Sequence, residues 1–380
     1  MRYRWTWNLF TTDPCWRRTM RKISILDSRE EMSALDTLNA LGSLEMLGSQ
    51  VQAIWSEAKK ITFPESYAHV KNIVVAGMGG SVLGTHLIQS VFKDQLTVPV
   101  LIVPDYTLPS FVNEDTLVIL SSYSGSTEET LAAAEDALLK RAKITGLTSG
   151  GPIAAFLSSH NFPALVFDPV FNPSNVPRMA LGYSLFGQVA LLAHIGLLNV
   201  TDEDFNSVLE VIANVHLENS ANVLQENNPA KLLAFDIITR LPIITVSQHL
   251  EGAAHVFANQ LNENAKTFSE YRVIPEMNHH LLEGLQFPES NPSTLLFITV
   301  HSDLYLKSNQ DRLDLSEELL EKHSLEYRQY TVKGKNALSQ AFELVLFGGY
   351  VSFYLSMLYN QNPLVTPQVE WLKSELKKRV

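Results

Sequence analysis

Short runs of β-branched and aliphatic residues alternate with longer stretches of mixed character from Lys71 to the end of the chain. Such short apolar runs, bounded by polar or glycine-rich loops, are typical of strands that are buried in a parallel sheet. The longer stretches have room for the helices that connect one parallel strand to the next. The pattern therefore predicts an α/β fold.

The first half of the pattern contains enough elements for one doubly wound unit. The predicted strands are residues 72–76, 98–103, 116–121, 143–147 and 164–167, and the predicted helices are residues 81–92, 127–139 and 177–198. The carboxyl ends of parallel strands share one sheet edge, so the loops that follow them are the expected places for a ligand.

A second unit is predicted to start near residue 200, where Thr201 precedes an acidic tripeptide, as in an N-capped helix. Its predicted strands are residues 241–246, 294–300 and 326–332, and its predicted helices are residues 248–262, 311–323, 337–359 and 366–378. We therefore expect an N-terminal extension at 1–22, a first domain with a helical lead-in at 23–199, and a second domain at 200–380.

The composition is that of a globular protein, since 46% of the 380 residues are hydrophobic and 18% are charged. The net charge of -11 argues against nucleic acid as a partner, because phosphate backbones attract basic surfaces. The single cysteine, Cys15, leaves no internal disulfide and fits a cytoplasmic location. No apolar stretch of about 20 residues occurs anywhere, so neither a membrane-spanning helix nor a membrane partner is expected.

Residues 1–22 differ from the rest of the chain in charge, with a net charge of +5 against -16 for the remainder. The segment lacks the long apolar run of a secretory signal, although its arginines and missing glutamates resemble a transit peptide. We expect a disordered tail, and an upstream start codon with Met20 as the working initiator is one explanation of it.

A polar loop, SYSGST at residues 122–127, follows the third predicted strand and opens the next helix. The hydroxyl-bearing residues in it are Ser122, Ser124, Ser126 and Thr127. These groups meet a helix N-terminus, where free N–H groups and the helix dipole attract anions, and Gly125 permits a tight turn. The loop favours a phosphate site, although an N-cap in a polar loop needs no ligand.

A glycine-rich loop, GMGGSVLG at residues 77–84, follows the first predicted strand. It matches a dinucleotide-binding fingerprint only in part, because Val82 occupies the position of the third glycine. Asp105 stands about where a ribose-binding acid is expected, but the hydroxyl-rich loop has no role in such a site. A further small loop, TSGG at residues 148–151, is predicted at the same sheet edge.

Gly-Gly-Ser at residues 79–81 and the loop at 122–127 together resemble the sugar isomerase (SIS) domain. From about residue 23 onward, the chain resembles the bifunctional phosphoglucose/phosphomannose isomerase family, which pairs two SIS domains. The supporting segments are GMGGS at 77–81, SYSGSTEET at 122–130, TSGG at 148–151, PRMALGY at 177–183, NENAK at 262–266, PEMNHH at 275–280 and TPQVEWLK at 366–373. The resemblance implies two flavodoxin-like, doubly wound parallel sheets that are flanked by helices.

The same resemblance implies roles for individual residues in aldose–ketose isomerisation. Residues that match the family's phosphate and sugar contacts are Gly80, Ser81, Ser122, Ser124 and Thr127. Glu263 matches the proton-transferring carboxylate, and Arg178 matches the arginine that faces the enediolate. The structural alternatives are a solvated glutamate at a helix end and a surface arginine.

His279 matches the acid/base that opens the sugar ring, which related isomerases take from the partner subunit, so a homodimer is expected. His280 stands where the family usually has asparagine, which leaves open which imidazole acts. Lys373 matches a lysine that reaches the active site, with a solvated lysine as the alternative. Thr366 matches the threonine that is associated with accepting both glucose and mannose epimers.

Two further features of the sequence bear on the site. Ser126 stands where the family commonly has asparagine, which puts sugar contacts rather than phosphate binding in question. His279 and Glu283 have the spacing of two metal ligands on one helix face, but no third ligand is evident. We therefore expect neither a metal nor another cofactor.

The sequence thus predicts a cytoplasmic, homodimeric isomerase of glycolysis and gluconeogenesis that interconverts glucose 6-phosphate or mannose 6-phosphate with fructose 6-phosphate. Two alternatives remain. The first is a sugar-phosphate-binding SIS protein without catalysis, which would not need Glu263, His279 and Arg178 together. The second is an isomerase of another sugar phosphate, which the phosphate loop alone does not distinguish.

Overall fold

The computed structural model describes residues 25–379, so the basic segment 1–22 and the expectations about it lie outside the described residues. Two parallel sheets are flanked by helices, which confirms the predicted α/β fold. The prediction that the chain divides into domains near residue 200 stays a prediction, because one hydrophobic core runs through both sheets and the helices between them.

The first sheet has five parallel strands in the order β2-β1-β3-β4-β5. Its strands are β1 (Asn72–Gly77), β2 (Val100–Val103), β3 (Thr116–Ser121), β4 (Lys143–Thr148) and β5 (Leu165–Val166). This is the flavodoxin-like order, in which the chain changes direction between β1 and β3 and leaves a crevice for ligands at the carboxyl ends of these strands. β1 and β3 are buried along nearly their whole length, which agrees with their continuous apolar character.

The second sheet has four parallel strands in the order β7-β6-β8-β9, which repeats the first sheet without its fifth strand. Its strands are β6 (Leu241–Ser247), β7 (Glu270–Ile274), β8 (Leu295–His301) and β9 (Glu326–Thr331). Strand β7 was not predicted from the sequence. This strand lies at the sheet edge, is half-buried and carries charged residues, so it lacks the apolar run of a central strand.

Fifteen α-helices are assigned within residues 25–379. In chain order they are α1 (Arg29–Leu35), α2 (Ala40–Glu45), α3 (Leu47–Ala58), α4 (Leu83–Val91), α5 (Glu128–Leu139), α6 (Gly151–Ser159), α7 (Gly187–Ile195), α8 (Asp202–Asn219), α9 (Pro229–Ile237), α10 (Glu251–Glu263), α11 (Met277–His280), α12 (Asn291–Thr294), α13 (Lys307–Lys322), α14 (Ala337–Leu358) and α15 (Pro367–Lys377). The predicted helix 177–198 is in fact three pieces: a 3₁₀ turn, a π-helical turn at Gly182–Phe186 and α7.

The helix α14 is the central element of the core, and its residues after Ala337 are buried. Among residues 25–379 it is the one helix that is long and apolar enough to cross a membrane, with a mean hydropathy of 1.5. The expectation that no apolar stretch of this length occurs is therefore wrong, because scattered polar residues such as Glu343 hide it in the sequence. Its whole apolar window is packed inside the protein, chiefly against α8, α9 and α10.

Helices α4 and α10 join the two halves of the chain and position the candidate site. Near the end of α4, Ser90 Oγ accepts a hydrogen bond from the N–H group of Gly252, at the start of α10 (3.2 Å). A side chain at residue 252 would collide with the backbone of His86, so glycine permits this close contact. The helices thus run antiparallel, and the start of α4 lies beside the end of α10.

Candidate functional site

An open cleft with about 280 Å³ of empty space lies where the start of α4 meets the end of α10. The residues that line it are Gly80, Leu83, Arg178, Leu181, Val256, Asn259, Gln260, Glu263 and Asn264. Gly80 belongs to the glycine-rich loop after β1, whereas Glu263 is the last residue of α10. The cleft therefore brings together residues that the sequence analysis assigned to phosphate contact, charge stabilisation and proton transfer.

Glu263 presents its carboxylate at the edge of this cleft, with 47% of the side-chain surface exposed. The surrounding protein raises the pKa of the Glu263 carboxyl above its ordinary value by removing water, while Arg178 and then Lys266 act in the opposite direction. A carboxylate with a raised pKa is a stronger base than an ordinary one and still reaches solvent. Both properties suit a group that takes and returns a proton.

Arg178 lies beside the carboxylate and is held by main-chain and amide oxygens. Its Nη2 donates to the carbonyls of Leu364 (2.6 Å) and Pro363 (3.2 Å), and its Nε donates to Asn264 Oδ1 (3.2 Å). Burial lowers the pKa of the guanidinium and Glu263 raises it. Arginine stays charged under such conditions, so the cleft contains a fixed positive charge.

The hydroxyl loop after β3 folds into a compact turn at the start of α5. Ser122 Oγ and Thr127 Oγ1 are 2.7 Å apart, and Ser124 Oγ and Ser126 Oγ are 3.0 Å apart. Thr127 is the N-cap residue of α5, yet its side chain does not cap the helix. The first-turn N–H groups therefore have no side-chain cap. An anion at a helix N-terminus binds to N–H groups that are free in this way.

Gly125 fixes the shape of this loop. Its φ angle is +67°, and a Cβ atom there would lie 1.8 Å from the carbonyl oxygen of Gly150. Its own carbonyl accepts a hydrogen bond from the N–H group of Ile153 in α6 (2.9 Å). The TSGG loop at residues 148–151 is thus packed directly against the hydroxyl loop, which agrees with its predicted place at the same sheet edge.

Ser81 connects the two loops that were predicted to bind the phosphate. Its main-chain oxygen accepts hydrogen bonds from Ser121 Oγ (2.7 Å) and Gln188 Nε2 (2.6 Å), and its hydroxyl accepts one from the N–H group of Tyr123 (3.4 Å). Gly80, which lines the cleft, immediately precedes it. Gln188, whose buried amide lies at the start of the mostly apolar helix α7, was not predicted from the sequence, although a polar residue at a buried position is a detectable signal.

The two histidines of the PEMNHH segment lie apart from this cleft. His279 and His280 are exposed on the short helix α11, and neither lines the cleft that contains Glu263. Glu283, the second residue of the metal spacing considered above, is exposed as well. Within one chain, therefore, His279 and Glu263 do not share a cavity.

Thr366 is the N-cap residue of the last helix, α15, and Lys373 lies within that helix. Thr366 is half-buried and its side chain makes no capping hydrogen bond, while Lys373 is exposed. No residue of α15 is buried within the described chain. The helix is nevertheless tethered close to the cleft, because Pro363 and Leu364 just before it accept hydrogen bonds from Arg178.

The NENAK segment contributes more than the single glutamate that the sequence analysis assigned to it. Asn264 accepts from Arg178 and donates to Ser352 Oγ in α14 (3.2 Å). Lys266 Nζ donates to three main-chain carbonyls beside the cleft. In the sequence, Asn264 and Lys266 were indicated by their place in the same short polar segment as Glu263. Most of their hydrogen-bond partners are distant along the chain, so these contacts were not predicted.

Comparison with known proteins identifies relatives of this chain by fold and by sequence. The family model of the bacterial phospho-glucose isomerase C-terminal SIS domain matches residues 226–376. Among solved structures, a hypothetical protein from Thermus thermophilus superimposes with a TM-score of 0.71 at 16% identity, over 96% of this chain and 95% of that one. A glucose-6-phosphate isomerase like protein from the same organism gives a TM-score of 0.55 at 18% identity, over 90% and 98% of the two chains. At these identities the structures show the fold alone.

The sequence relationship is more specific. A bifunctional phosphoglucose/phosphomannose isomerase from Caldicellulosiruptor bescii is 32% identical over 336 residues, which is 88% of this chain and 98% of that protein. This match extends over both sheets, and it confirms the family that the sequence motifs indicated. The chain belongs to the bifunctional phosphoglucose/phosphomannose isomerase family, a family of sugar-phosphate isomerases.

Proposed function

We propose that this protein interconverts glucose 6-phosphate and mannose 6-phosphate with fructose 6-phosphate through a cis-enediolate intermediate. The observation that carries the proposal is the shared cleft of Gly80, Arg178 and Glu263. It combines a glycine of the phosphate-loop region, a fixed cation and a carboxylate within one small volume. Aldose–ketose isomerisation requires these three elements together.

The phosphate group of the substrate is assigned to the loops after β1 and β3. Ser81, Ser122, Ser124 and Thr127 supply hydroxyl groups there, and the uncapped N–H groups at the start of α5 supply further donors. Neutral donors at a helix N-terminus bind a phosphate dianion well, since the helix dipole favours negative charge. The net negative charge of the chain does not oppose this binding, because the local donors determine the potential within the site.

In the proposed reaction, the Glu263 carboxylate removes the proton from C2 of the open-chain aldose. The C–H electron pair forms the C1–C2 double bond, and the aldehyde oxygen becomes the negative oxygen of the enediolate. Arg178 stabilises this charge. The proton of the C2 hydroxyl passes to the negative C1 oxygen, Glu263 protonates C1, and the electrons of the double bond move so that the C2 carbonyl forms, which gives the ketose. Because C2 is planar in the intermediate, the glucose and mannose epimers converge on one species.

One remaining role, the opening of the sugar ring, is assigned to a second copy of the chain. His279 is exposed and lies outside the cleft of its own chain, so we assign it to opening the sugar ring in the cleft of the partner. Thr366 and Lys373 are assigned to the sugar from the end of the chain. On this proposal the homodimer is the working unit, in the cytoplasm, and takes part in glycolysis and gluconeogenesis.

The test is a coupled assay of the full-length protein with glucose 6-phosphate, mannose 6-phosphate and glucosamine 6-phosphate. We expect turnover of the first two, and we expect Glu263→Gln to lower kcat at least about a hundredfold with little change in KM. Glu251→Gln, which removes an exposed carboxylate from the first turn of the same helix, is the matched control.

Two results would contradict the proposal. Binding of these sugar phosphates without turnover would identify a sensor, and turnover of only the amino sugar would identify a different isomerase. A Glu263→Gln variant that retains more than about a tenth of the wild-type kcat would remove Glu263 from the proton transfer.

A further inference from the structure

Lys266, the last residue of the NENAK segment, makes an unusual set of contacts beside the cleft. Its Nζ donates to the main-chain carbonyls of Asn264 (2.9 Å), Asn362 (2.7 Å) and Pro363 (3.0 Å), so its three hydrogens are all used. The residue also has a φ angle of +53°. A non-glycine residue keeps this conformation only where its surroundings impose it, and such residues are frequent at functional sites.

The carbonyls that Lys266 binds belong to a segment, Asn362 to Leu364, that Arg178 holds as well. Arg178 donates to the carbonyl of Pro363, which Lys266 also contacts, and to that of Leu364. Two cations, one from each half of the chain, therefore bind three consecutive carbonyls. On the far side, Asn362 Nδ2 donates to the carbonyl of Leu35 (2.9 Å) and to Thr37 Oγ1 (3.0 Å).

This segment determines the position of α15. No residue of α15 is buried within residues 25–379, and an isolated helix of 11 residues is marginal in water. The helix begins three residues after Leu364, so the contacts of the preceding segment set where it starts. Thr366 and Lys373 therefore depend on the two cations for their location relative to Glu263.

We propose that Lys266 is a positioning residue that, together with Arg178, clamps Asn362–Leu364 beside Glu263 and thereby sets how Thr366 and Lys373 approach the cleft. The inference rests on the proposed function of Glu263 as the base. It assigns to Lys266 no contact with the substrate. It gives the tail of the chain a fixed attachment at the centre of the site.

Lys266 also acts on Glu263 through its charge. Burial, and then the neighbouring charge of Arg178, lower the pKa of Lys266 to about 8, while Glu263 acts to raise it. Arg178 and Glu263 are the charged groups that face Lys266 in the described part of the chain. Near pH 7 the amine is charged and lowers the pKa of Glu263. Loss of this charge therefore raises the pKa of Glu263, which moves the acidic limb of the kcat/KM profile to higher pH.

The experiment compares Lys266→Met and Lys266→Arg with the wild type, and uses Lys93→Met, at an exposed lysine after α4, as the control. Amide hydrogen exchange is followed across residues 362–378, and pH profiles of kcat/KM are measured. Each lost hydrogen bond to a charged group corresponds to about a tenfold or greater change in the local opening equilibrium. We expect Lys266→Met to accelerate amide exchange at residues 362–378 at least about tenfold. We also expect it to move the acidic limb of the kcat/KM profile to higher pH. We expect Lys266→Arg to keep the wild-type acidic limb, because the charge is retained.

Unchanged exchange at residues 362–378 in Lys266→Met would overturn the clamp, and an acidic limb identical to that of the wild type would overturn the influence of Lys266 on the ionisation of Glu263. Should Lys266→Met fail to fold in thermal melts, Lys266→Gln, which is also neutral and keeps an amide donor, replaces it with the same two expected results. The exchange measurement needs no turnover. A wild-type protein that is inactive on every sugar phosphate would therefore contradict the proposed function. The exchange data would still show whether Lys266 holds residues 362–364 in place.

Discussion

The Nε atom of Arg178 lies 3.8 Å from the Oε2 atom of Glu263, close enough for strong electrostatic coupling but too far for a hydrogen bond. The hydrogen bonds of the guanidinium go instead to Asn264 and to the carbonyls of Pro363 and Leu364. The arginine thus contributes charge to the cleft without occupying the lone pairs of the carboxylate. A base that must accept a proton from the substrate needs this arrangement.

The first prediction concerns Arg178→Gln. Removing the guanidinium removes the larger of the two influences that lower the pKa of Glu263, so this pKa rises and the acidic limb of kcat/KM moves to higher pH. If Arg178 faces the enediolate as proposed, the loss of its charge should lower kcat about 10²- to 10³-fold. The measurement is a pH profile of kcat and kcat/KM.

The control for this variant is Arg240→Gln, which breaks an ion pair with Glu326 on the second sheet. We expect the control to leave the acidic limb in place. An Arg178→Gln profile that falls in magnitude but keeps its acidic limb would show that Arg178 does not influence the ionisation of the base.

The sequence alone predicted the architecture because buried parallel strands have a strong apolar signal. Strand β3 has the same bounds in the prediction and in the structure, and β1 differs by a single residue at its end. The edge strand β7 escaped detection because half-buried, charged positions carry no such signal. The π-helical turn at Gly182–Phe186 was read as regular helix, since a change in backbone hydrogen bonding leaves the apolar pattern intact.

The candidate site was predicted in part, and the missing part is tertiary. Gly80, Arg178 and Glu263 came from motifs, and the structure brings them to one cleft. The contacts of Lys266 with Asn362 and Pro363 join segments about a hundred residues apart in the chain. No local spacing or periodicity encodes such contacts. The location of His279 outside the cleft of its own chain, by contrast, agrees with the family resemblance, in which this histidine comes from the partner subunit.

The second prediction concerns the hydroxyl pair of Ser122 and Thr127, which are 2.7 Å apart. In this pair one hydroxyl donates to the other, which leaves one free hydrogen for a bound phosphate. Ser122→Ala and Thr127→Val should each weaken the binding of inorganic phosphate about tenfold or more, as for a hydrogen bond to a charged group. Because the pair acts as a unit, the double variant should lose less than the sum of the two.

Isothermal titration with inorganic phosphate provides the four dissociation constants of this cycle. Ser158→Ala, which changes an exposed hydroxyl in α6, is the control and should bind phosphate like the wild type. Strict additivity of the two losses would mean that Ser122 and Thr127 contact the ligand independently.

The third prediction concerns acid stability and the pair formed by His86 in α4 and His255 in α10. Their ring centroids are 4.5 Å apart at the contact between the two halves of the chain. Burial, and then the neighbouring His255, lowers the pKa of His86 to about 4, and burial lowers that of His255. Below pH 6.5 the unfolded chain therefore binds protons that the folded chain does not, so stability falls as the pH decreases from 6.5 towards 4.

Replacing His86 with phenylalanine keeps a ring but removes one of these titrations. We expect His86→Phe to reduce the loss of unfolding free energy between pH 7 and 5 by about 1 kcal/mol, after allowance for the partial exposure of the ring. His69→Gln, at an exposed histidine, should leave the loss unchanged. Denaturant unfolding at both pH values measures the difference, and equal losses in wild type and His86→Phe would contradict it.

The fourth prediction tests whether active sites are completed across a dimer. Glu263→Gln and His279→Asn should each be nearly inactive alone. If Glu263 of one subunit works with the histidine of its partner, each mixed dimer contains one site with both native residues and one site with neither. Random mixing makes half of the dimers mixed, so co-refolded or co-expressed variants should recover about a quarter of the wild-type kcat. The proportion follows from the symmetry of the dimer alone.

A cis arrangement gives the opposite result, because no site in the mixed dimer would then have both native residues. Activity that stays at the level of the single variants, with mixed dimers verified by mass spectrometry, would place the histidine and the glutamate in one chain or remove His279 from the reaction. Repeating the mixture with His280→Asn in place of His279→Asn separates the two imidazoles. The variant that is inactive alone and complements Glu263→Gln identifies the histidine that opens the ring.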